Sequence, residues 1–193
     1  LGTVILVAFL ICHFTLSIFT KYKDDHEKEV LYKLAYSDEL TKVYNRRYCE
    51  RIMDELTEKQ QHYTIFSFDL NNLKKINDNM GHQYGDALIS GFANILKETF
   101  TEDAIVGRMG GDEFIVLLDD KDIHSHDHSK EIKKYYEILE RYNRQEESFQ
   151  FSASYGYADM EEIKPVDGVV DSRKVYALAD NRMYEMKSQN KDA

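Results

Sequence analysis

The run Arg108-Met109-Gly110-Gly111-Asp112-Glu113-Phe114, continued by the apolar Ile115-Val116-Leu117-Leu118, decides how this chain is read. Two adjacent glycines permit backbone angles that other residues avoid and remove side chains that would block a large ligand, so they suit a hairpin tip. Two acids follow at once. On the strand that begins there, successive side chains point to opposite faces, so Asp112 and Glu113 cannot serve the same role. Taken alone, the pentapeptide is equally an ordinary Gly-Gly turn with solvated acids.

Outward from it, Ala104 to Arg108 and Glu113 to Leu118 form the two arms of a hairpin. Upstream, Tyr63-Thr64-Ile65-Phe66-Ser67-Phe68-Asp69 is rich in β-branched and aromatic residues and ends in an acid, which predicts a central strand. Helical patterns cover Asn71 to Asn79 and then Ala87, Leu88, Phe92, Ile95 and Leu96, with Gly81 and Gly85 bracketing a turn between them. Asn45 is a suitable N-cap for a helix whose apolar face is Tyr48, Ile52, Met53 and Leu56. Downstream come a helix over about 130–144, an alternating strand from Phe149 to Tyr157, and a final helix from about Val170 to Lys187 with Val175, Leu178, Ala179, Met183 and Met186 inward. The order predicts an α+β domain, a mainly antiparallel sheet flanked by helices.

Before this domain lies a different kind of sequence. Leu1 to Thr20 is almost wholly apolar and is followed by Lys21 and Lys23, which matches the roughly 20 residues a helix needs to span a bilayer and predicts a transmembrane helix. The lysines after it place the remainder on the cytoplasmic side of a cell membrane. Residues 21–36 are charged, with Val30, Leu31, Leu34 and Ala35 on one stripe, and read as a linker helix between the membrane and a domain over 37–193. The stripe suits either a short coiled coil with a second chain or packing against the domain. A first residue of Leu1 is compatible with a fragment whose upstream segments are missing.

The formal net charge of -10 excludes the usual basic nucleic-acid surface but leaves a nucleotide substrate open, because divalent cations and a few placed lysines can offset phosphate charge. Cys12 and Cys49 have no metal-ligand spacing and predict no disulfide framework. The tract His124-Ser125-His126-Asp127-His128 lies in a polar connection without a second ligand group and reads as a solvated loop.

Several separated pieces share one pattern: Asp38-Glu39-Leu40-Thr41 with Asn45-Arg46-Arg47, then Phe68 to Asp78, then Gly81-His82 with Gly85-Asp86, then Arg108 to Phe114. In order and spacing they resemble the GGDEF-domain diguanylate cyclases, from about Asp38 almost to the C-terminus. The resemblance implies a palm-like, ferredoxin-like core related to nucleotidyl cyclases, and condensation of two GTP into cyclic di-GMP by a homodimer. It also implies that Asp69, Asp112 and the carbonyl of Leu70 hold Mg²⁺ or Mn²⁺, while Glu113 either helps activate the attacking 3′-hydroxyl or completes the metal shell.

By the same resemblance Asn77 and Asp86 read guanine, since a carboxylate accepts from the paired N–H donors that adenine lacks. Gly110 and Gly111 give the nucleotide room. The N–H groups of Asn72 and Leu73 at a helix start form an anion site, and Lys187 and Lys191 reach the phosphates. Lys191 stands where the family more often has arginine, and Asn190 where it has glycine, so Lys191 serves either phosphate or its helix end. Thr101 and Ala104 replace the usual Arg-x-x-Asp product site, so no feedback inhibition is expected there. Asn71 stands where many relatives have Asp. The rival reading is a non-catalytic receptor for GTP or cyclic di-GMP, and a third is a dimerisation unit.

Overall fold

The computed structural model describes residues 2–119 and 128–189, with side chains from His13 onward except at positions 24, 25 and 119. Residues 120–127, most of the histidine tract among them, and Asn190 and Lys191 lie outside the described residues. The chain divides into two units, Leu1–Ser37 and Asp38–Ala193.

The first unit is one uninterrupted helix, α1 (Gly2–Tyr36), of 35 residues. Its charged half is laced by pairs one turn apart, Lys23 with Glu27 at 3.6 Å and Lys33 with Glu29 at 2.7 Å, which support an exposed helix by a few tenths of a kcal/mol each. Among the described residues no helix is long and apolar enough to cross a membrane. This overturns the expectation of a transmembrane helix over 1–20 and, with it, the membrane localisation and anchoring.

The second unit runs β1 (Tyr44–Asn45), α2 (Arg46–Lys59), β2 (Tyr63–Leu70), α3 (Leu73–Met80), α4 (His82–Thr99), β3 (Ile105–Gly110), β4 (Glu113–Asp119), α5 (Ser129–Gln145), β5 (Ala153–Asp159), a 3₁₀ turn at Met160–Glu162, and α6 (Ser172–Gln189). The five strands form one mixed sheet in the order β1-β3-β4-β2-β5. The pair β1 and β3 is parallel and the others are antiparallel. Every residue of β2 is buried, because helices cover both faces. Phe66, Phe68 and Leu70 pack with Leu88, Phe92 and Tyr135 on the side of α3, α4 and α5. Tyr63 and Ile65 pack with Met53, Val175 and Ala179 on the side of α2 and α6. Fully burying each such aromatic or aliphatic side chain is worth about 1.5–3 kcal/mol.

Three local details differ from expectation. Gly85 lies inside α4, and the turn is made by Gly81 alone, at φ 94°. The segment Phe149–Ser152 is not strand: the Asn143 side chain bonds both the N–H and the carbonyl of Phe151, which occupies the backbone groups a ladder would use. His128 is buried, with Nε2 3.1 Å from both Thr64 Oγ1 and Asp159 Oδ1, so it is not part of a solvated loop. The outer edge of β5 is largely occupied. Arg182 donates to the Tyr157 carbonyl at 2.7 Å, Glu162 accepts from the Asp159 N–H at 3.0 Å, and the Tyr155 N–H meets Met186 Sδ at 3.3 Å.

Candidate active site

The site forms where β2 ends and the β3–β4 hairpin turns. Asp69 stands opposite Glu113 in the antiparallel register, and the Leu70 N–H donates to the Asp112 carbonyl at 2.9 Å. Residues far apart in sequence are thereby brought side by side by the sheet itself. Gly111 adopts φ 47°, where a side chain would be strained, and the register shift between Arg108 and Gly110 sets the tip of the hairpin. Arg108 holds that tip: its Nε and Nη2 donate to the Gly111 carbonyl at 3.0 and 2.8 Å. The same guanidinium reaches both carboxylate oxygens of Asp38 at 3.3 Å, and Asp38 in turn accepts from the N–H and hydroxyl of Thr41 at 2.9 and 2.7 Å.

Asp69 is buried, and Lys187 of α6 donates to its Oδ1 at 2.5 Å. Around Glu113 the balance is negative. Partial burial, then the carboxylates of Asp112, Asp180 and Asp69, hold its carboxyl above the usual range, with Arg46 opposing. Asp180 accepts a hydrogen bond from Ser67 at 3.1 Å. Burial, with Asp180 and Glu113 nearby, pushes the Tyr176 phenol up to about 12. Sequence reasoning missed Asp180, Tyr176, Ser67 and Arg46. One signal was available: Asp180 lies two helical turns before Lys187 and so shares its face.

Asn77 and Gly85 are brought into contact. A Cβ at Gly85 would collide with Asn77 Oδ1, and that oxygen is buried without a hydrogen-bond partner among the described residues. Asp86 is exposed on α4. Asn72 is in the left-handed region, φ 64°, at the entrance to α3, with Leu73 as the first helical residue. Asn71 is tied to β5 and its approach by Ser152 and Ser154, at 3.0 and 3.4 Å. Lys191 lies outside the described residues. Among the described residues no three His, Cys, Asp or Glu side chains form a ready-made metal site.

Comparison with known proteins agrees with this arrangement. Residues 35–193 match the family described as diguanylate cyclase, GGDEF domain. The chain is 32% identical over 173 residues to the signaling protein YkoW of Bacillus subtilis, an alignment covering 86% of this chain and 20% of YkoW. It is 27% identical to the probable diguanylate cyclase DgcT of Escherichia coli, over 82% of this chain and 35% of DgcT. The chain therefore spans well under two thirds of these relatives. Among solved structures, the coiled coil and GGDEF domain of DgcB from Caulobacter crescentus, in complex with c-di-GMP, superposes with a TM-score of 0.70 at 21% identity, covering 93% of this chain and 95% of that one. A microbial GGDEF domain solved for its interaction with cyclic di-GMP gives a TM-score of 0.64 at 27% identity, covering 82% and 94%.

Fold and site together define a GGDEF domain. The chain belongs to the diguanylate cyclase GGDEF-domain family.

Proposed function

We propose that this domain is a diguanylate cyclase, joining two GTP into cyclic di-GMP with release of two pyrophosphates, on a palm-like nucleotidyl-cyclase core. The observation that carries the reading is the convergence of Asp69, Asp112 and Glu113 at one end of the sheet, beside the gap left by Gly110 and Gly111. Asp69, Asp112 and the Leu70 carbonyl are hard oxygen donors suited to Mg²⁺ or Mn²⁺, with phosphate oxygens of the nucleotide completing the shell. Their fit to a cation is supported by the donor set itself, an all-oxygen group in which Asp69 faces Glu113 across the sheet and Leu70 is bonded to the Asp112 backbone. When bound, the metal supplies charge neutralisation and polarisation at the α-phosphate.

The chain's own groups do the rest. Glu113, opposite Asp69 in the sheet register, is suited either to help activate the 3′-hydroxyl as that oxygen attacks in line or to complete the metal shell. In this reading Asn77 and Asp86 read the guanine edge, the latter from the exposed side of α4. The N–H groups of Asn72 and Leu73, with Lys187 and Lys191, receive the phosphates. One domain holds one GTP, so the product requires two domains face to face, a homodimer or a transient encounter.

The test is incubation of the full chain with GTP and Mg²⁺ or Mn²⁺ and identification of the product by mass spectrometry, beside Asp112→Ala. Cyclic di-GMP from the parent and a loss of at least about 10²-fold in the variant are expected. No product at any protein concentration would turn the reading to a GTP-binding receptor.

A further inference from the structure

Lys187 and Asp69 form an ion pair at 2.5 Å, with side-chain exposures of 28% and 10%. The proposed reading assigns both residues to the nucleotide complex, yet to different partners: the carboxylate to the metal, the ammonium to phosphate. Both cannot hold those partners while bound to each other. A dication approaching Asp69 Oδ1 meets an ammonium already on that oxygen, in a partly buried place where solvent screens the repulsion poorly.

The helix that carries Lys187 is fixed. Gly156 lets the α6 backbone at Ala179 and Met183 lie directly on β5, Ser67 donates to Asp180, and Arg182 is locked onto the Tyr157 carbonyl and Glu162. What is free to move is the lysine side chain, a flexible four-carbon stem with three donors at its end.

Resting on the reading of Asp69 as a metal ligand, we infer that Lys187 is the resident counter-ion of Asp69, so that the metal site opens only as a triphosphate draws the ammonium away. The nucleotide supplies new acceptors for Lys187, and the vacated carboxylate then accepts the metal. Metal and nucleotide accordingly bind with mutual tightening, and linkage requires the factor to be the same in both directions. The device keeps a bare domain from loading metal without substrate and makes Lys187 a positioning residue as well as a phosphate contact.

The experiment is Mn²⁺ binding to the full chain, read from the electron-paramagnetic-resonance signal of free Mn²⁺, with and without a non-hydrolysable GTP analogue. Parent, Lys187→Met, Asp69→Ala and Lys133→Met are compared, the last removing an exposed charge on α5. Without nucleotide, Lys187→Met is expected to bind Mn²⁺ about tenfold more tightly than the parent or more, and the analogue is expected to tighten Mn²⁺ much less in Lys187→Met than in the parent. Equal affinity of parent and Lys187→Met, with Asp69→Ala still losing the metal in the presence of the analogue, overturns the counter-ion role and leaves the cyclase reading standing. A gain in Lys133→Met as large as that in Lys187→Met reduces the effect to net charge and overturns it too. If no variant and no parent takes up Mn²⁺ even with the analogue, the metal reading of Asp69 itself falls, and this inference with it.

Discussion

Asp38 shows how a single carboxylate ties the start of the domain to the tip of its hairpin. Burial opposes its ionisation, but two hydrogen bonds from Thr41 and the Arg108 guanidinium win, and its carboxyl is held below the ordinary value of 3.8. A depressed folded value means that the stabilisation is complete above the unfolded value and is lost as pH falls through the lower folded one. Asp38→Asn is therefore expected to be less stable than the parent at about pH 7, with the gap closing as urea unfolding is repeated down to about pH 2.5. A gap that stays constant with pH would mean that the charge contributes nothing. At this scale the acids of the site were legible, because Asp69 ends a strand pattern and Asp112 follows a double glycine. Gly85 was misread for a physical reason: a glycine signals a turn, whereas here it sits in a helix so that Asn77 can approach. Asp86 was read at the same turn and instead lies exposed within α4, because the helix begins at His82 and runs through Gly85.

At the scale of elements, α6 is the part on which the site depends without being part of the hairpin. It lies against β5 through Gly156, where a Cβ would collide with the Ala179 carbonyl, the Met183 N–H and the Arg182 Cβ. Two of those three atoms are backbone, so the helix itself would have to shift. Gly156→Ala is expected to destabilise the domain by about 1–3 kcal/mol, seen as a lowered midpoint in thermal unfolding. An unchanged midpoint would show that α6 does not rest on β5 at this point. The long elements were legible because their patterns are local: the β-branched and aromatic run of β2, and the Asn45 cap whose Oδ1 accepts from the Tyr48 N–H at 3.1 Å. The two residues of β1 were not, since their pairing with Gly107 and Arg108 depends on a strand far along the chain. The start of β5 was placed too early because Phe149 and Phe151 alternate as a strand would. Alternation reports which side chains are buried, and Asn143 had already taken the backbone of Phe151.

For the whole molecule, the proposed chemistry needs two copies, each carrying a formal charge of -10 and thus repelling the other at long range. Rate per mole of protein is expected to rise with protein concentration until the paired form saturates, measured as pyrophosphate release at fixed GTP. A rate per mole independent of dilution over about a hundredfold range would sink the encounter requirement. The membrane span was read from the apolar run Leu1 to Thr20, and among the described residues no helix is long and apolar enough to cross a membrane. The occupied rim of β5 takes on a different meaning if the proposed chemistry brings two copies together. An open strand edge on each copy would offer a second way of joining, sheet to sheet, that could extend from molecule to molecule into fibres. With Arg182, Glu162 and Met186 holding its backbone groups, that polymerising route is closed on this side.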